Sequence, residues 1–249
     1  MITLRRAAER HHIERIKHDR WITFYALDRA DPLADGFGGL EVLTESRLAP
    51  GAEGAFSPNH EAEIITYVID GTLAYSDSAG GTGVLAAGEF QRWTAGPGVR
   101  RRETNALQTD AVHAFHIWLR PLHPDVPQSQ EQKRFPAAER RGALRVVASQ
   151  DGHDDSLRVS QDARMYSALL EPGTHVVHEL AATRRAWLHV VRGELSLGDL
   201  VLSRGDGAGV EDERALSMTA QSESEILLVD MDRSTLATRA VGTPTSGSR

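Results

Sequence analysis

One interval in this chain is repeated, and it constrains the fold more than any single motif. The tetrapeptide "LAPG", ending at Gly51, is followed twenty residues later by Gly71 in "YVIDGTL". "LEPG", ending at Gly173, is followed twenty residues later by Gly193 in "HVVRGEL". Downstream, "VLAAGEF" around Gly88 matches "VLSRGDG" around Gly205, with that second interval five residues shorter. Two copies of one structural unit are predicted, each carrying the same turns at the same places.

The material between the glycines reads as strand. "WITFYAL" from Trp21, "GLEVLTESRL" from Gly39, "EIITYVIDGTLAYSD" from Glu63 and "AVHAFHIWLRP" from Ala111 are short runs rich in β-branched and aromatic residues. Gly, Pro, Asp and Asn interrupt most of them, and few stretches carry a helical period. The expectation is an all-β protein of two tandem barrels, with Asp70-Gly71 as a hairpin turn and a short helix in "SQEQKRF". Arg120–Gly142, rich in Pro, Gln and charge, is the predicted boundary. That divides the chain into a first barrel over residues 1–120, a linker over 121–142, a second barrel over 143–232 and a polar tail over 233–249.

Composition narrows the partners. The chain has 249 residues, of which 40% are hydrophobic, enough to bury a substantial core. A net charge of −7 gives no overall field for nucleic acid, and "VRRRE" is too short to reverse it. With no cysteine, thiolate metal sites, iron–sulfur clusters and cysteine nucleophiles are excluded. No run of eighteen apolar residues occurs, and "MITLRRAAERHHIERIKHDRW" lacks the apolar stretch of a signal peptide. The corresponding expectation is a cytoplasmic protein that engages neither membrane nor nucleic acid directly.

Three segments, "MITLRRAAER", "EIITYVIDGTL" and "GEFQRWTAGPGVRRRETN" (Gly88–Asn105), resemble the pirin family, and the resemblance runs from Met1 to about Asp232. It implies a bicupin, two cupin (jelly-roll) barrels packed face to face. It also implies a metal, commonly iron, in the N-terminal barrel only, and for some members an activity like that of quercetin 2,3-dioxygenase. The family pattern places H-P-H before the first motif strand and H-x-E after the glycine turn. Here those four positions hold Ser57, Asn59, Arg101 and Glu103, while Pro58, Glu63, Gly96, Gly98 and Asn105 keep the frame.

Ligand chemistry then argues against a transition metal. Ser and Asn oxygens are weak ligands, and a guanidinium stays protonated and only donates. Glu61, Glu63 and Glu103 keep open a harder cation such as Mn or Mg. The alternative is that Arg101 replaces the ion: on a regular strand it shares a face with Glu103, near Glu63, and a fixed cation there can hold an organic anion or carbonyl. Arg100 and Arg102, of opposite parity, are surface residues on this reading.

His113 and His116 also differ in parity, so at most one points inward. His116, Trp118, His60, Ser57 and Asn59 are the candidate ligand-binding residues, and Arg101, Glu103 and Glu63 the candidate catalytic ones. In the second half, His175 and His178 have no histidine after Gly205 to complete a set, and His178 reads as structural.

Three functions follow. The first is a pirin-like bicupin without a favoured cofactor that binds a small organic ligand, or a protein partner, in a regulatory role. The second is a metal-independent isomerase, cyclase or hydrolase using Arg101 with Glu63 or Glu103. The third, implied by the resemblance, is a dioxygenase dependent on Fe or another divalent metal.

Overall fold

The computed structural model describes residues 1–25, 31–56, 62–95, 98–123 and 126–233. Four sheets form four layers. The first seven-stranded sheet has the order Ser129–Arg134, Glu89–Ala95, Ala62–Asp70, Val112–Leu119, Leu40–Leu48, His18–Ile22 and His11–Arg15. The second runs Ile2–Arg5, Gly207–Val210, Arg184–Arg192, Ser224–Asp232, Ala163–Leu170, Arg145–Ser149 and Leu157–Arg158. Each is backed by a four-stranded sheet: Glu53–Phe56, Arg101–Asn105, Thr72–Asp77 and Thr82–Ala86 in the first barrel, and His175–Glu179, Ala215–Ala220, Glu194–Leu197 and Leu200–Ser203 in the second.

The central strands of the large sheets, such as Ala62–Asp70, Val112–Leu119 and Ser224–Asp232, are buried on both faces, and this explains their long apolar runs. Ala62–Asp70 alternates between two cores. Its Val68 packs with Leu73, Leu85 and Ala114 inside the first barrel. Its Ile65, Tyr67 and Ile69 join Phe115, Trp187, Leu227 and Met231 in the core between the barrels. Residues such as Leu188, Leu195, Leu216 and Leu228 fill the second barrel.

The repeated glycines occupy equivalent places. Gly51 and Gly173, Gly71 and Gly193, and Gly88 and Gly205 all have positive φ, between +65° and +87°. Asp70-Gly71, however, is not a hairpin turn. Ala62–Asp70 pairs with Glu89–Ala95 and Val112–Leu119, whereas Thr72–Asp77 pairs with Arg101–Asn105 and Thr82–Ala86. Gly71 is therefore a corner at which the chain leaves one sheet for the other, as strands in orthogonally packed sheets do.

Gly193 makes the same corner at φ +80°, and a Cβ there would stand 2.2 Å from the Glu223 carbonyl oxygen, whereas Gly88, at φ +83°, has nothing within 4 Å. Both Gly→Ala changes incur the left-handed penalty of about 1–2 kcal/mol. Only Gly193→Ala adds a backbone clash. Chemical denaturation should show Gly193→Ala to be clearly the more destabilising, and equal losses would contradict this account of the corner.

Two strands pair with partners outside the segments to which the sequence assigns them. Ile2–Arg5, assigned from the sequence to the first barrel, pairs in register with Gly207–Val210 of the second sheet. Ser129–Arg134, assigned to the linker and to a helix, is instead a strand that pairs with Glu89–Ala95 over six residues. An open sheet edge offers a full row of hydrogen bonds, and this outweighs the modest helix preference of Gln, Glu and Lys.

Candidate functional site

The strand Arg101–Asn105 alternates strictly, with Arg101, Glu103 and Asn105 inward and Arg102 outward. Its neighbours are Glu53–Phe56 on one side and Thr72–Asp77 on the other, with Glu103 opposite Gly54 and Tyr75. Asn105 anchors the far end, its Nδ2 donating to the carbonyls of Leu48, Ala49 and Asp110 at 3.0, 3.1 and 2.8 Å. That anchor fixes the register of the two charged residues ahead of it.

Arg101 is only 1% exposed. Its Nε donates to Glu103 Oε1 at 3.1 Å and its Nη2 to Gln91 Oε1 at 2.5 Å. The guanidinium carbon stands 4.1 Å from the Tyr75 ring centroid and 5.1 Å from that of Trp93, a cation–π seat on two rings. Its Nη1 is buried and has no hydrogen-bond partner among the described residues, and Gln91 Nε2 is in the same condition. Burial lowers the arginine's pKa, against the opposing pull of Glu103.

The second carboxylate oxygen is also engaged: Glu103 Oε2 lies 2.8 Å from His116 Nε2. Burial by itself would raise the Glu103 pKa, but His116 and Arg101 overcome it and bring the carboxyl down to about 2. The result is a buried His–carboxylate–Arg chain. His116 owes its inward aim to parity. His113, three residues earlier, faces the core between the barrels and meets Glu45 Oε1 at 2.8 Å.

The other predicted site residues fall in several places. Trp118 is half-buried and packs on Ala62, Ile64 and Trp93 beside the arginine. Ser57, Asn59 and His60 lie outside the described residues, as does Glu61. Glu63 is not near Arg101 as expected. Its carboxylate accepts from the Ser160 amide at 2.9 and 2.7 Å, from Ser160 Oγ at 2.7 Å and from the Gln161 amide at 3.2 Å, all in the second half of the chain. The strand's two faces are both buried, and Glu63 is on the one turned to the other barrel. In that barrel His178 is buried and bonds Asp230 Oδ2 at 2.8 Å.

Sequence reasoning passed over Gln91, Tyr75, Arg20, His18 and Ser46. Gln91 shares inward parity with Trp93, which could have revealed it. Arg20 pairs across the strands with Ser46, and Ser46 with Ala114 of the barrel interior, so these side chains share the inner face.

A divalent metal does not fit the described donors. The one retained family carboxylate has an oxygen on Arg101 and the other on His116, and a cation beside the guanidinium would face charge repulsion. Among the described residues no group of three or more His, Asp or Glu side chains could hold an ion.

Two family models match the chain: the one described as pirin over residues 4–119, and the quercetinase C-terminal cupin domain over residues 146–231. A protein named quercetin 2,3-dioxygenase from Escherichia coli K12 is 37% identical over 93% of this chain and 99% of its own length. A pirin-like protein of Caulobacter vibrioides is 33% identical over 80% of this chain and 86% of its own. The crystal structure of YhhW from Escherichia coli superposes with a TM-score of 0.84 at 36% identity, covering 93% of this chain and 97% of the other. A crystal structure of bacterial pirin YhhW from Escherichia coli in complex with nickel(II) matches with a TM-score of 0.83 at 35% identity, covering 93% of this chain and 99% of the other. With two face-to-face cupin barrels on one side and these matches over nearly its whole length on the other, this chain belongs to the pirin family.

Proposed function

We propose that this pirin binds a small organic ligand in its N-terminal barrel through Arg101 and acts as a binding or regulatory protein without a redox metal. The supporting observation is the Arg101 guanidinium itself, buried, clamped by Gln91 and Glu103, seated on two aromatic rings, and still holding a free N–H donor. A cation so fixed orients an acceptor oxygen but supplies no electrons and no open coordination position. Ser57, Asn59 and His60, which lie outside the described residues, and Trp118 are proposed as further ligand-binding residues. No helix among the described residues is long and apolar enough to cross a membrane.

Elemental analysis tests this directly. Protein from iron- or nickel-supplemented cells should carry far less than one metal per chain after dialysis, and near-stoichiometric metal would sink the reading. The combined variant Ser57→His, Asn59→His and Arg101→His should gain metal if only the ligands distinguish this barrel from the family pattern.

A second reading, metal-independent proton-transfer chemistry, is favoured by the His116–Glu103 contact of 2.8 Å. On this reading Arg101 polarises a substrate oxygen and His116 moves the proton, its ring held by Glu103. The dioxygenase reading, which comes from the relatives' names, calls for oxygen uptake with a flavonol. We expect none.

A further inference from the structure

One end of the second barrel carries a layer of polar side chains that the function proposed above does not use. Strand alternation puts His178 on the inner face with Val176, Tyr166 and Arg164 with Ala168, Arg184 with Ala186 and Leu188, and Asp230 with Ile226 and Leu228. Arg164 stands directly across the strand pair from Asp230. Beneath the layer Leu188, Leu216 and Leu228 fill the barrel, so its working side is the one turned to solvent, where Arg164 is exposed and Tyr166 half-buried. The first barrel has no copy of it: through the paired glycines, Tyr166, His178 and Arg184 correspond to Thr44, Phe56 and Ala62.

At its centre is an oriented histidine. His178 is 9% exposed, and its Nε2 lies 2.8 Å from Asp230 Oδ2. Arg184 holds that carboxylate from behind, its Nε donating to Asp230 Oδ1 and its Nη1 to Asp162 Oδ1 at 2.9 Å. A carboxylate paired with an arginine only accepts, so in the neutral ring Nε2 carries the hydrogen and Nδ1 the lone pair. Nδ1 makes no hydrogen bond in the structure, and it is not a buried atom.

Tyr166 meets this ring edge to face, with centroids 5.0 Å apart. Burial, then the Asp230 charge, raises the phenol's pKa, so the hydroxyl stays a donor, and Arg164 acts on it from the same face. A base fixed by a carboxylate, beside a donor that keeps its hydrogen, is equipped to move a proton on one atom of a substrate while a neighbouring oxygen is held. An uncharged donor next to a cation suits an oxygen that gains negative charge, as the oxygen of a carbonyl compound does when it enolises.

We propose that this end of the second barrel is a proton-transfer site for a small carbonyl compound, with His178 as the base and Tyr166, backed by Arg164, as the holder of the carbonyl oxygen. His178 Nδ1 takes a hydrogen from the carbon beside the carbonyl. The C–H electron pair forms the new C=C bond, and the carbonyl π pair moves onto the oxygen held by the Tyr166 hydroxyl. The imidazolium, steadied by Asp230, returns the proton to oxygen or to carbon, so keto and enol forms interconvert without an oxidant or a co-reactant.

The test is hydrogen exchange at carbon. The full chain is mixed with phenylacetone or hydroxyacetone in deuterium oxide, and proton NMR follows deuterium entering beside the carbonyl. Exchange of at least one ketone is expected to saturate with concentration and to exceed that given by the same concentration of free imidazole. His178→Gln should lower the rate about a hundredfold or more, the range of general acid–base catalysis, and Tyr166→Phe about tenfold or more. Because His178 also bonds Asp230, its loss can disturb the fold, whereas Tyr166→Phe keeps the ring in place and is the decisive variant. Nitrogen NMR of the free protein should show the His178 ring with Nε2 protonated and Nδ1 bare.

The proposal is overturned if neither ketone exchanges faster than with imidazole, if Tyr166→Phe exchanges like the wild type, or if the neutral His178 ring carries its hydrogen on Nδ1. Exchange abolished by His116→Gln and untouched by Tyr166→Phe would overturn it too, by placing the chemistry in the first barrel.

Discussion

Replacing Arg101 with Met should destabilise the protein by about 3–5 kcal/mol, the loss typical when one partner of a buried ion pair is deleted and the other stays behind. Glu103, 3% exposed, would keep His116 on one oxygen and lose the guanidinium on the other. Urea denaturation measures the loss, and a change within about 0.5 kcal/mol, the range of ordinary surface substitutions, would show that the arginine is not held as described. A pH series gives the complementary signature. The folded Glu103 carboxyl, at about 2, lies below its ordinary value of 4.5. A depressed carboxylate contributes its stability above the unfolded value, and that contribution disappears as pH falls from about 4.5 toward 2. The shift corresponds to about 3 kcal/mol, so wild type should lose stability over that window more steeply than Glu103→Gln does.

The second large effect is expected between the barrels. Arg140 Nη1 donates to the Tyr67 hydroxyl at 2.8 Å, to Ser167 Oγ at 3.1 Å and to Glu225 Oε1 at 3.1 Å, and the Tyr67 hydroxyl itself donates to Glu225. Burial, then the Glu225 charge, pushes the Tyr67 phenol well above its ordinary pKa, so it remains a donor. Tyr67 stacks on Phe90, with centroids 4.0 Å apart, and belongs to the first barrel; Ser167 and Glu225 belong to the second. Arg140→Met should cost about 3 kcal/mol or more by leaving Glu225 buried with a weaker set of partners. Arg140→Met combined with Glu225→Met should recover most of it, since removing both ends strands no charge. Equal stability of the single and double variants would mean that the network does not act as a unit.

How far the sequence could carry these conclusions depended on how many faces of each strand are buried. The paired glycines were sufficient to find both barrels, because positive φ at Gly71 and Gly193 is a requirement that few residues other than glycine meet. Parity sorted Arg101 and Glu103 from Arg102, since that strand has one wet face and one dry one. The same logic failed for Glu63. Ala62–Asp70 is buried through eight consecutive residues, so alternation separates its two faces without saying which one is the barrel interior. Asp70-Gly71 was misread as a hairpin because a local turn signal does not reveal whether the next strand pairs with the last. Arg20 and His18 stand in a charged stretch whose polarity looks solvated until the fold closes over it.

The exchange of Ile2–Arg5 into the second sheet has a consequence for how the molecule is made. Those residues are synthesised some two hundred positions before their partners at Gly207–Val210. At roughly 5–20 residues per second, the opening segment must wait about 10–40 seconds on the ribosome before its place exists. The first barrel can mature meanwhile, but the second sheet is complete only when this early strand meets its late partner.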